Sequence, residues 1–491
     1  MRPELILPGG DLERVKIAFA YGADAVYVGI NKHSLRKAEV RFDVAEVGEA
    51  IQYAHSLGKR LFVTFNIFAH NTQLADIEKD MKAIAQFGPD AFIIADLGVM
   101  RLANKVAPCI PIHVSTQANT VNIEDVKFWR DFGVKRVVLA RELSLSEIKE
   151  IHDAVPEIEL EAFVQGSMCI SYSGRCLMSN YMTGRDANNG ECAQPCRWNY
   201  QVRSDTTTVS SLVANPGISG GPSEGDPRIR KDDNVGPDSS SSQNDETFYL
   251  EEKNRPGEYF PIEEDSNGTY IMSSKDISAI EILPEIIEAG VMGLKVEGRN
   301  KSEYYLATVG YAYRSALDAI EHNSYTGEIK RKLAEELTKV NYRDYTTGFF
   351  LGDAKAGETY NGRAPIRKWD YVARIMNNES RIMNTEDRCY DSKGLSLNSP
   401  AIVSRKDSSF ESSRNDEEDH RHIVVVKNKI KKGETVEILT LNKLYTETII
   451  SIHDMHGSEL DEINPGRSDQ QAIITLINKY PENSFIRKTY R

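Results

Sequence analysis

The sequence is poor in cysteine, in tryptophan and in long apolar runs. It has 6 cysteines and 3 tryptophans in 491 residues. No apolar run approaches the roughly 18 residues that a membrane-spanning helix needs. The N-terminal stretch MRPELILPGGDLERVK lacks the long apolar segment and the small-residue cleavage site of a signal peptide. We therefore expect a cytoplasmic protein with no membrane partner, in which thiols stay reduced and a disulfide framework is disfavoured.

Positive charge is also scarce. The net charge is −13, with 60 basic against 73 acidic residues, which argues against broad nonspecific binding to nucleic acid. A local basic stretch remains in KNKIKK. It is predicted to contact RNA through Lys427, Lys429, Lys431 and Lys432. The alternative interpretation is a solvated edge of a small β domain.

A recurring pattern of helix, glycine and short apolar run indicates the fold. It is seen in YGADAVYVG, LGKRLFVTFN, FGPDAFIIAD, FGVKRVVLAR and AGVMGLKVEGR. With ELILPGG, IHVSTQA and ELEAFVQG, eight strands alternate with helices or longer insertions. This predicts an α/β protein with a (β/α)8 TIM-like barrel over residues 1–330. An open doubly wound sheet is the alternative, but no G-x-G-x-x-G follows the first strand.

Two segments interrupt the pattern, and the C-terminal part differs from the rest. Residues 204–246 and 377–420 are rich in polar and small residues and are predicted to be disordered insertions. Residues 335–491 contain short β-like runs separated by turn residues, such as RHIVVVKN and ETVEILTL. We interpret this part as a small β-barrel accessory domain.

Four of the six cysteines lie close together in a cysteine-rich insertion, residues 167–200, with the spacing C-x6-C-x15-C-x3-C. They are Cys169, Cys176, Cys192 and Cys196. Structural zinc sites usually use two tight C-x2–4-C pairs, whereas iron–sulfur clusters accept looser spacing because each thiolate binds a different iron. The spacing favours a [4Fe–4S] cluster, and zinc or reactive thiols remain as alternatives.

Polar residues at the ends of the predicted strands are the other site candidates. In a (β/α)8 barrel these ends form the active-site face. The alternation of IHVSTQ places His113, Ser115 and Gln117 on one face of a strand. The catalytic candidates are His113, Gln117, Glu142 and Glu297, and the substrate-binding candidates are Arg141, Lys295 and Arg299. Each of these charges could instead form an ion pair at the barrel rim.

Several stretches resemble the U32 peptidase family, the collagenase-like peptidases of unassigned catalytic type. They include EAFVQGSMCISYSGRCLMS (residues 161–179), FNIFAHN, HVSTQAN, VLARELSLSEI and LKVEGRNKSEYY. The resemblance extends over the chain outside the two insertions. The length and the β-rich C-terminal region look most like the subgroup that hydroxylates tRNA. Two departures are Gly9, where the family usually has alanine, and YRDYTTGFFLG, where a more basic turn is common.

For that subgroup the resemblance implies hydroxylation of the wobble uridine of tRNA to 5-hydroxyuridine, with prephenate as co-substrate and without O2. It also implies a [4Fe–4S] cluster held by the four cysteines, Cys169, Cys176, Cys192 and Cys196. Sister groups hydroxylate another RNA base or a quinone ring, so these substrates are alternatives.

The family name makes a peptidase the other alternative. The chain has no H-E-x-x-H, and its only G-x-S-x-G surrounds Ser219 in a predicted insertion. A cysteine nucleophile paired with His113 or His70 stays open at this point.

Overall fold

The computed structural model describes residues 2–30, 33, 42–169, 171–183, 185–189, 191–197, 248–251, 259–265, 268–270, 274–352, 366–376, 420–466 and 470–490. The two predicted insertions lie outside the described residues, apart from His420. Cys389 lies outside them as well.

The helices and strands are numbered in chain order. The helices are α1 Leu12–Ala20, α2 Val44–Ser56, α3 Leu74–Ala85, α4 Leu97–Val106, α5 Ile123–Phe132, α6 Leu145–Ala154, α7 Met178–Thr183, α8 Leu283–Glu288, α9 Glu303–Glu321 and α10 Gly327–Leu337. The strands up to residue 346 are β1 Glu4–Gly9, β2 Ala25–Gly29, β3 Arg60–Phe65, β4 Ala91–Ile94, β5 Ile112–Val114, β6 Arg136–Val138, β7 Glu159–Ser167, β8 Phe248–Glu251, β9 Tyr259–Asp265, β10 Gly268–Tyr270, β11 Asp276–Ser278, β12 Val291–Val296 and β13 Tyr345–Thr346. The remaining strands are β14 Trp369–Ile375, β15 Arg421–Val426, β16 Ile430–Lys431, β17 Thr435–Leu439, β18 Leu444–Thr448, β19 Ser451–His453, β20 Glu459–Leu460, β21 Glu462–Ile463, β22 Gln471–Thr475 and β23 Phe485–Thr489.

The predicted eight-stranded parallel barrel is confirmed. Strands β1 to β7 pair in sequence order, and β12 closes the sheet between β7 and β1. In β12, Leu294 lies beside Leu5 on one side and beside Ala162 on the other. The carboxyl ends of these parallel strands therefore meet at one face, where loops bring functional residues together.

The predicted glycine caps explain why the helices end where they do. Asn122 caps the start of helix α5, and its side chain accepts a hydrogen bond from the Asp125 N–H. Gly133 caps the end of the helix with φ +88, a left-handed conformation that other residues rarely adopt. The chain then turns directly into β6, and the same device recurs at Gly22, Gly58, Gly88 and Gly290.

Alternation along the barrel strands separates two apolar cores. Outward-facing residues such as Leu5, Val26 and Val63 are fully buried against the surrounding helices. Inward-facing residues form a small separate cluster of Ile6, Ala25, Tyr27, Phe62, Ala91 and Ile93. The inner cluster leaves much of the barrel interior to polar side chains, which is where the site is built.

The C-terminal part is a separate β-rich domain, as the sequence predicts, but its main unit is an antiparallel sheet and not the expected small barrel. In the described residues this sheet has eight strands, ordered β18-β17-β23-β14-β15-β22-β19-β20. They enclose their own apolar core, which includes Val372, Val424, Ile438 and Ile474.

Polar contacts join the C-terminal domain to the barrel. The Tyr21 hydroxyl lies 3.0 Å from the Leu439 carbonyl oxygen and 2.9 Å from that of Asn483. The buried Arg487 guanidinium donates two hydrogen bonds to the Glu336 carboxylate of α10, at 2.5 and 2.8 Å. These contacts fix the sheet domain against α1 and α10.

No helix in the described part of the chain has the length and apolar character required to cross a lipid bilayer.

Candidate active site: a cysteine-lined pocket

A pocket opens at the carboxyl ends of the barrel strands, and all four clustered cysteines line it. Its described walls are Tyr27, Thr64, Asn66, Ile93, Ser115, Thr116, Gln117, Val138, Arg141, Phe163, Cys169, Ser173, Cys176, Met178, Ala187, Cys192, Pro195, Cys196, Lys295, Glu297 and Arg299. The structure thus brings the described part of the cysteine segment (residues 167–169, 171–183, 185–189 and 191–197) to the barrel face where the strand ends present their polar side chains.

Hydrogen bonds within the cysteine segment fix its local conformation. The Cys176 backbone N–H donates to the Asn188 side chain at 3.3 Å, and the Asn188 side chain donates to the Cys176 carbonyl at 3.1 Å. The buried Ser179 hydroxyl donates to the Arg185 carbonyl at 2.8 Å and accepts from the Ala193 N–H at 2.9 Å. Asn188 and Ser179 therefore set where Cys176 and Cys192 stand.

The cysteine thiols are partly exposed and have polar neighbours. The Cys169 Sγ lies 3.0 Å from the Ser171 hydroxyl, and the Cys192 Sγ accepts a hydrogen bond from the Gln194 N–H at 3.4 Å. Backbone N–H donors of this kind stabilise a thiolate ligand. Among the described residues, no group of three or more His, Cys, Asp and Glu side chains is gathered tightly enough to bind a single metal ion.

All three predicted substrate-binding residues, Arg141, Lys295 and Arg299, line the pocket. The Arg141 guanidinium donates to the Ser167 carbonyl at 3.2 Å, and its carbon lies 4.2 Å from the centre of the Phe163 ring. Arg299 donates to the Thr64 hydroxyl at 3.2 Å. The Lys295 ammonium lies 4.5 Å from the centre of the Tyr27 ring. The pocket wall therefore concentrates positive charge in a protein whose net charge is negative.

A buried charge network supports this wall from within the barrel. The Lys295 Nζ lies 2.6 Å from one oxygen of Glu161, and Arg136 lies 3.1 Å from the other. Arg136 also pairs with Glu4 at 2.8 Å. Burial alone raises the pKa of Glu161, but the two cations more than offset it, so the pKa lies below its ordinary value. Burial is also the main cause that lowers the pKa of Lys295, and Glu161 opposes it.

Gln117 lies in the pocket, but not on the strand that the sequence predicts. Strand β5 ends at Val114, and Gln117 belongs to a 3-10 turn, Thr116–Ala118. Its side-chain oxygen accepts hydrogen bonds from the Ser115 hydroxyl and, at 3.4 Å, from the Asn66 amide. The expected strand alternation is therefore wrong at Gln117, yet Ser115 and Gln117 both line the pocket.

Glu297 lines the pocket where two strands approach closely. Its backbone N–H donates to the Gln165 carbonyl of β7 at 2.8 Å. Gly166 lies beside it with φ +108, and a Cβ built there would come within 2.6 Å of the Glu297 carbonyl oxygen. Only glycine fits this contact, so Gly166 fixes the distance between β12 and the start of the cysteine segment.

Two of the predicted catalytic residues are not among the described pocket walls. His113 is 3% exposed and packs edge-on against Phe62, inside the barrel. Burial, with a further contribution from Arg136 and Lys295, holds the pKa of His113 well below its ordinary value. Glu142 instead contacts the backbone of the cysteine segment at Ser173. The expectation that all strand-end candidates face one pocket is therefore wrong for His113 and Glu142.

The predicted RNA-binding lysines lie on and beside β16, at the edge of the C-terminal domain. The Lys429 ammonium lies 2.6 Å and that of Lys431 4.0 Å from the Glu462 carboxylate, and Lys432 lies 2.5 Å from that of Glu459. These ion pairs reduce the positive charge that the sequence alone indicates. The role of these three residues and of Lys427 in RNA binding stays a prediction.

Sequence reasoning missed the residues that support the pocket: Glu4, Asn66, Arg136, Glu161 and Ser173. A signal was present for one of them, because ELEAFVQG places Glu161 inside a run that otherwise reads as a buried strand. A charged residue at such a position implies a buried partner. Its partners could not be identified, because Arg136 and Lys295 lie on other strands.

The sequence is similar to a protein-family model and to several named proteins. The sequence model of "Peptidase family U32" matches residues 10–360. The "tRNA hydroxylation protein P" of Escherichia coli K12 is 42% identical over 71% of this chain and 74% of that protein. The "tRNA hydroxylation protein P1" of Bacillus subtilis 168 is 34% identical over 98% of this chain and 94% of that protein. A "Collagenase" of Porphyromonas gingivalis W83 is 26% identical over 77% of this chain and 81% of that protein.

The names of these relatives include both hydroxylation and proteolysis, so the relationship alone does not decide the activity. The family match includes the pocket and the four cysteines that line it. Both the extent of that match and the identity to the two hydroxylation proteins lead to one conclusion: the chain belongs to peptidase family U32.

Proposed function

We propose that this protein hydroxylates tRNA, converting the wobble uridine to 5-hydroxyuridine with prephenate as co-substrate and without O2. The observation that carries the proposal is one pocket, at the catalytic face of a barrel, that combines four cysteines with three cationic side chains. The names of the two tRNA hydroxylation relatives support the RNA substrate. Hydroxylation of another RNA base or of a quinone ring is the alternative within the same chemistry.

The proposed cofactor is a [4Fe–4S] cluster held by Cys169, Cys176, Cys192 and Cys196. The donor set fits such a group, because four thiols share one wall and Cys192 accepts a backbone N–H hydrogen bond. Each thiolate of a cluster binds a different iron, so the ligands surround a larger object than a single zinc ion does. When bound, the cluster supplies electron-transfer or Lewis-acid chemistry at the pocket.

The chain's own residues are proposed to bind and orient the anionic co-substrate. Prephenate carries two carboxylates, and guanidinium groups bind carboxylates through paired, directional hydrogen bonds. Arg141 and Arg299 reach the pocket from different strand ends, and both are fixed by contacts with neighbouring side chains or carbonyls. Lys295, near the end of β12, adds a third positive charge to the pocket lining. Gln117 contributes a neutral polar group and Glu297 a negative one.

A peptidase remains the second candidate, since the family name and one relative indicate it. A cysteine peptidase needs a base within hydrogen-bond reach of its thiol. Among the described residues that line the cysteine pocket there is no histidine, because His113 lies inside the barrel and His70 is exposed at a 3-10 turn. The geometry therefore favours the hydroxylase.

The experiment is anaerobic purification, iron and sulfide analysis, and incubation with unmodified tRNA with and without prephenate. We expect a mass gain of one oxygen atom on the wobble uridine only when prephenate is present. Changing any one of the four pocket cysteines to serine should lower iron and abolish modification together, because a cluster that loses a ligand becomes labile. Cys109→Ser is the control, since Cys109 is exposed and outside the pocket.

A further variant separates co-substrate binding from cofactor retention. Arg299→Ala should raise the prephenate concentration needed for half-maximal rate while leaving the iron content unchanged. A gelatin assay on the same preparation tests the second candidate. Proteolysis that persists after loss of iron, with no oxygen added to the tRNA, would refute the hydroxylase.

A further inference from the structure

Glu142 makes an unusual pair of contacts at the base of the cysteine segment. It follows the strand end after β6, and both of its carboxylate oxygens face Ser173. The Ser173 N–H donates to Oε1 at 2.7 Å and the Ser173 hydroxyl donates to Oε2 at 2.5 Å. Hydrogen bonds to an ionised acceptor are the stronger kind. One carboxylate of the barrel thus binds both donors of one residue in the segment.

Ser173 has a backbone conformation that needs such support. Its φ is +41 and its ψ is +36, which is the left-handed region that non-glycine residues rarely adopt. It is 2% exposed, so water cannot replace its partners. Its hydroxyl also accepts a hydrogen bond from the Arg141 N–H at 3.2 Å. Bonds from the strand end after β6 therefore hold Ser173 in a conformation that serine alone disfavours.

Ser173 lies between two proposed iron ligands, Cys169 and Cys176. A change of its backbone angles would redirect the chain between them, and both line the pocket. We propose that Glu142 is a positioning residue, which fixes the left-handed turn at Ser173 and thereby keeps Cys169 and Cys176 directed at the pocket. The inference rests on the proposed cluster where it is tested by iron release, and on the fold alone where it is tested by labelling of the cysteines in the iron-free protein.

The contacts argue against a role for Glu142 as catalytic acid or base. Both oxygens already accept hydrogen bonds from Ser173, and Glu142 is not among the described residues that line the pocket. A catalytic carboxylate needs an oxygen that reaches the substrate. The residue next to it, Arg141, does line the pocket. Of these two neighbouring residues after β6, Arg141 therefore lines the pocket and Glu142 holds the cysteine segment.

The test compares Glu142→Gln, Ser173→Ala and Ser173→Gly with wild type and with the control Glu150→Gln, an exposed glutamate on α6. The first measurement is the rate at which a ferrous-iron chelator removes iron from the purified protein. The second is the rate at which a maleimide labels Cys169 and Cys176 in the iron-free protein, followed by peptide mass spectrometry.

Glu142→Gln should raise both rates about tenfold, the change expected for loss of a hydrogen bond to a charged group. Ser173→Ala should have a similar effect, because alanine loses the hydroxyl and keeps the disfavoured conformation. Ser173→Gly should raise both rates less than Ser173→Ala does, because glycine loses the same hydroxyl but adopts the left-handed region without steric cost. In the Ser173→Gly background, Glu142→Gln should raise the iron-removal and labelling rates less than it does in the wild type.

A general structural role would not produce this pattern. The unfolding midpoint of Glu142→Gln should match that of Glu150→Gln, while the electron paramagnetic resonance spectrum of the reduced cluster shifts. If wild type holds no iron and Glu142→Gln still accelerates labelling, the cluster is refuted and the positioning role stands. If wild type holds iron and neither rate changes in Glu142→Gln, the positioning role is refuted and the cluster stands.

Discussion

Lys295→Met is expected to destabilise the barrel and to do so in a pH-dependent way. The substitution keeps an apolar side chain of similar length and removes the ammonium that lies 2.6 Å from the fully buried Glu161. Breaking a buried ion pair by removing one partner costs about 3–5 kcal/mol. Arg136 still contacts the other oxygen of Glu161 at 3.1 Å. We therefore expect a loss of about 3 kcal/mol, at the lower end of that range.

The dependence on pH follows from the pKa of Glu161. In the wild type that pKa is lowered in the folded state, so the group contributes stability above its unfolded pKa, and the contribution is lost as the pH falls through the folded pKa. In the variant one cation is missing and burial dominates, so the pKa rises. Glu161 of the variant then takes up a proton at a higher pH than in the wild type, and this removes the cost of an unpaired buried charge. The difference in unfolding free energy should be largest at neutral pH and should shrink as the pH falls.

Guanidinium denaturation at neutral pH and at about pH 5 measures this difference. Lys149→Met is the matched control, because Lys149 pairs with Asp153 at 2.9 Å while both side chains are more than half exposed. Exposed pairs contribute about 0–1 kcal/mol. If Lys295→Met costs no more than Lys149→Met, or if its cost is the same at both pH values, the proposed charge network does not support the pocket.

Three other experiments test further parts of the structure. Gly166→Ala should cost about 1–3 kcal/mol and lower iron retention, because its Cβ meets a carbonyl at 2.6 Å, whereas Gly88→Ala, with open space around it, should cost about 1–2 kcal/mol from conformation alone. Arg487→Met should cost about 3 kcal/mol in denaturation, at the lower end of the range for a broken buried ion pair, because the buried Glu336 keeps Lys339 as a partner at 3.3 Å. Changing Lys427, Lys429, Lys431 and Lys432 to serine should weaken tRNA binding and flatten its salt dependence; because three of them are ion-paired, we expect a slope change of about one phosphate contact. An unchanged slope would place the RNA contacts elsewhere.

The barrel could be predicted because its signals are local. A strand that is buried on both faces reads as a continuous apolar run, and a glycine such as Gly133 marks the helix end before it. The short 3-10 turn that holds Gln117 could not be predicted in the same way. IHVSTQ alternates like a strand, but β5 ends at Val114 where the neighbouring strand pairing stops. Local alternation does not show where a partner strand ends.

The cysteines could be placed at the site, but the roles of the charges around them could not. Glu142 follows a strand end just as Arg141 does, and the sequence does not show that its carboxylate binds Ser173. The lysine stretch presents the same difficulty. The Glu462 that faces Lys429 comes from β21, which pairs with β16 across the sheet. Partners that depend on strand pairing are absent from any single stretch of sequence.

The pocket is stabilised by buried ion pairs on one side and by hydrogen bonds on the other, and we expect their removal to have different effects. Its floor is held by ion pairs inside the barrel, centred on Glu161, which water does not reach. Its cysteine wall is held by the hydrogen bonds that Ser173 donates to Glu142 of the barrel and by those between Asn188 and Cys176 within the segment. Removing a floor partner leaves a buried charge and so lowers the free energy of unfolding. Removing a hydrogen bond of the cysteine wall lets the loop move and displaces the thiols, with little effect on the stability of the barrel.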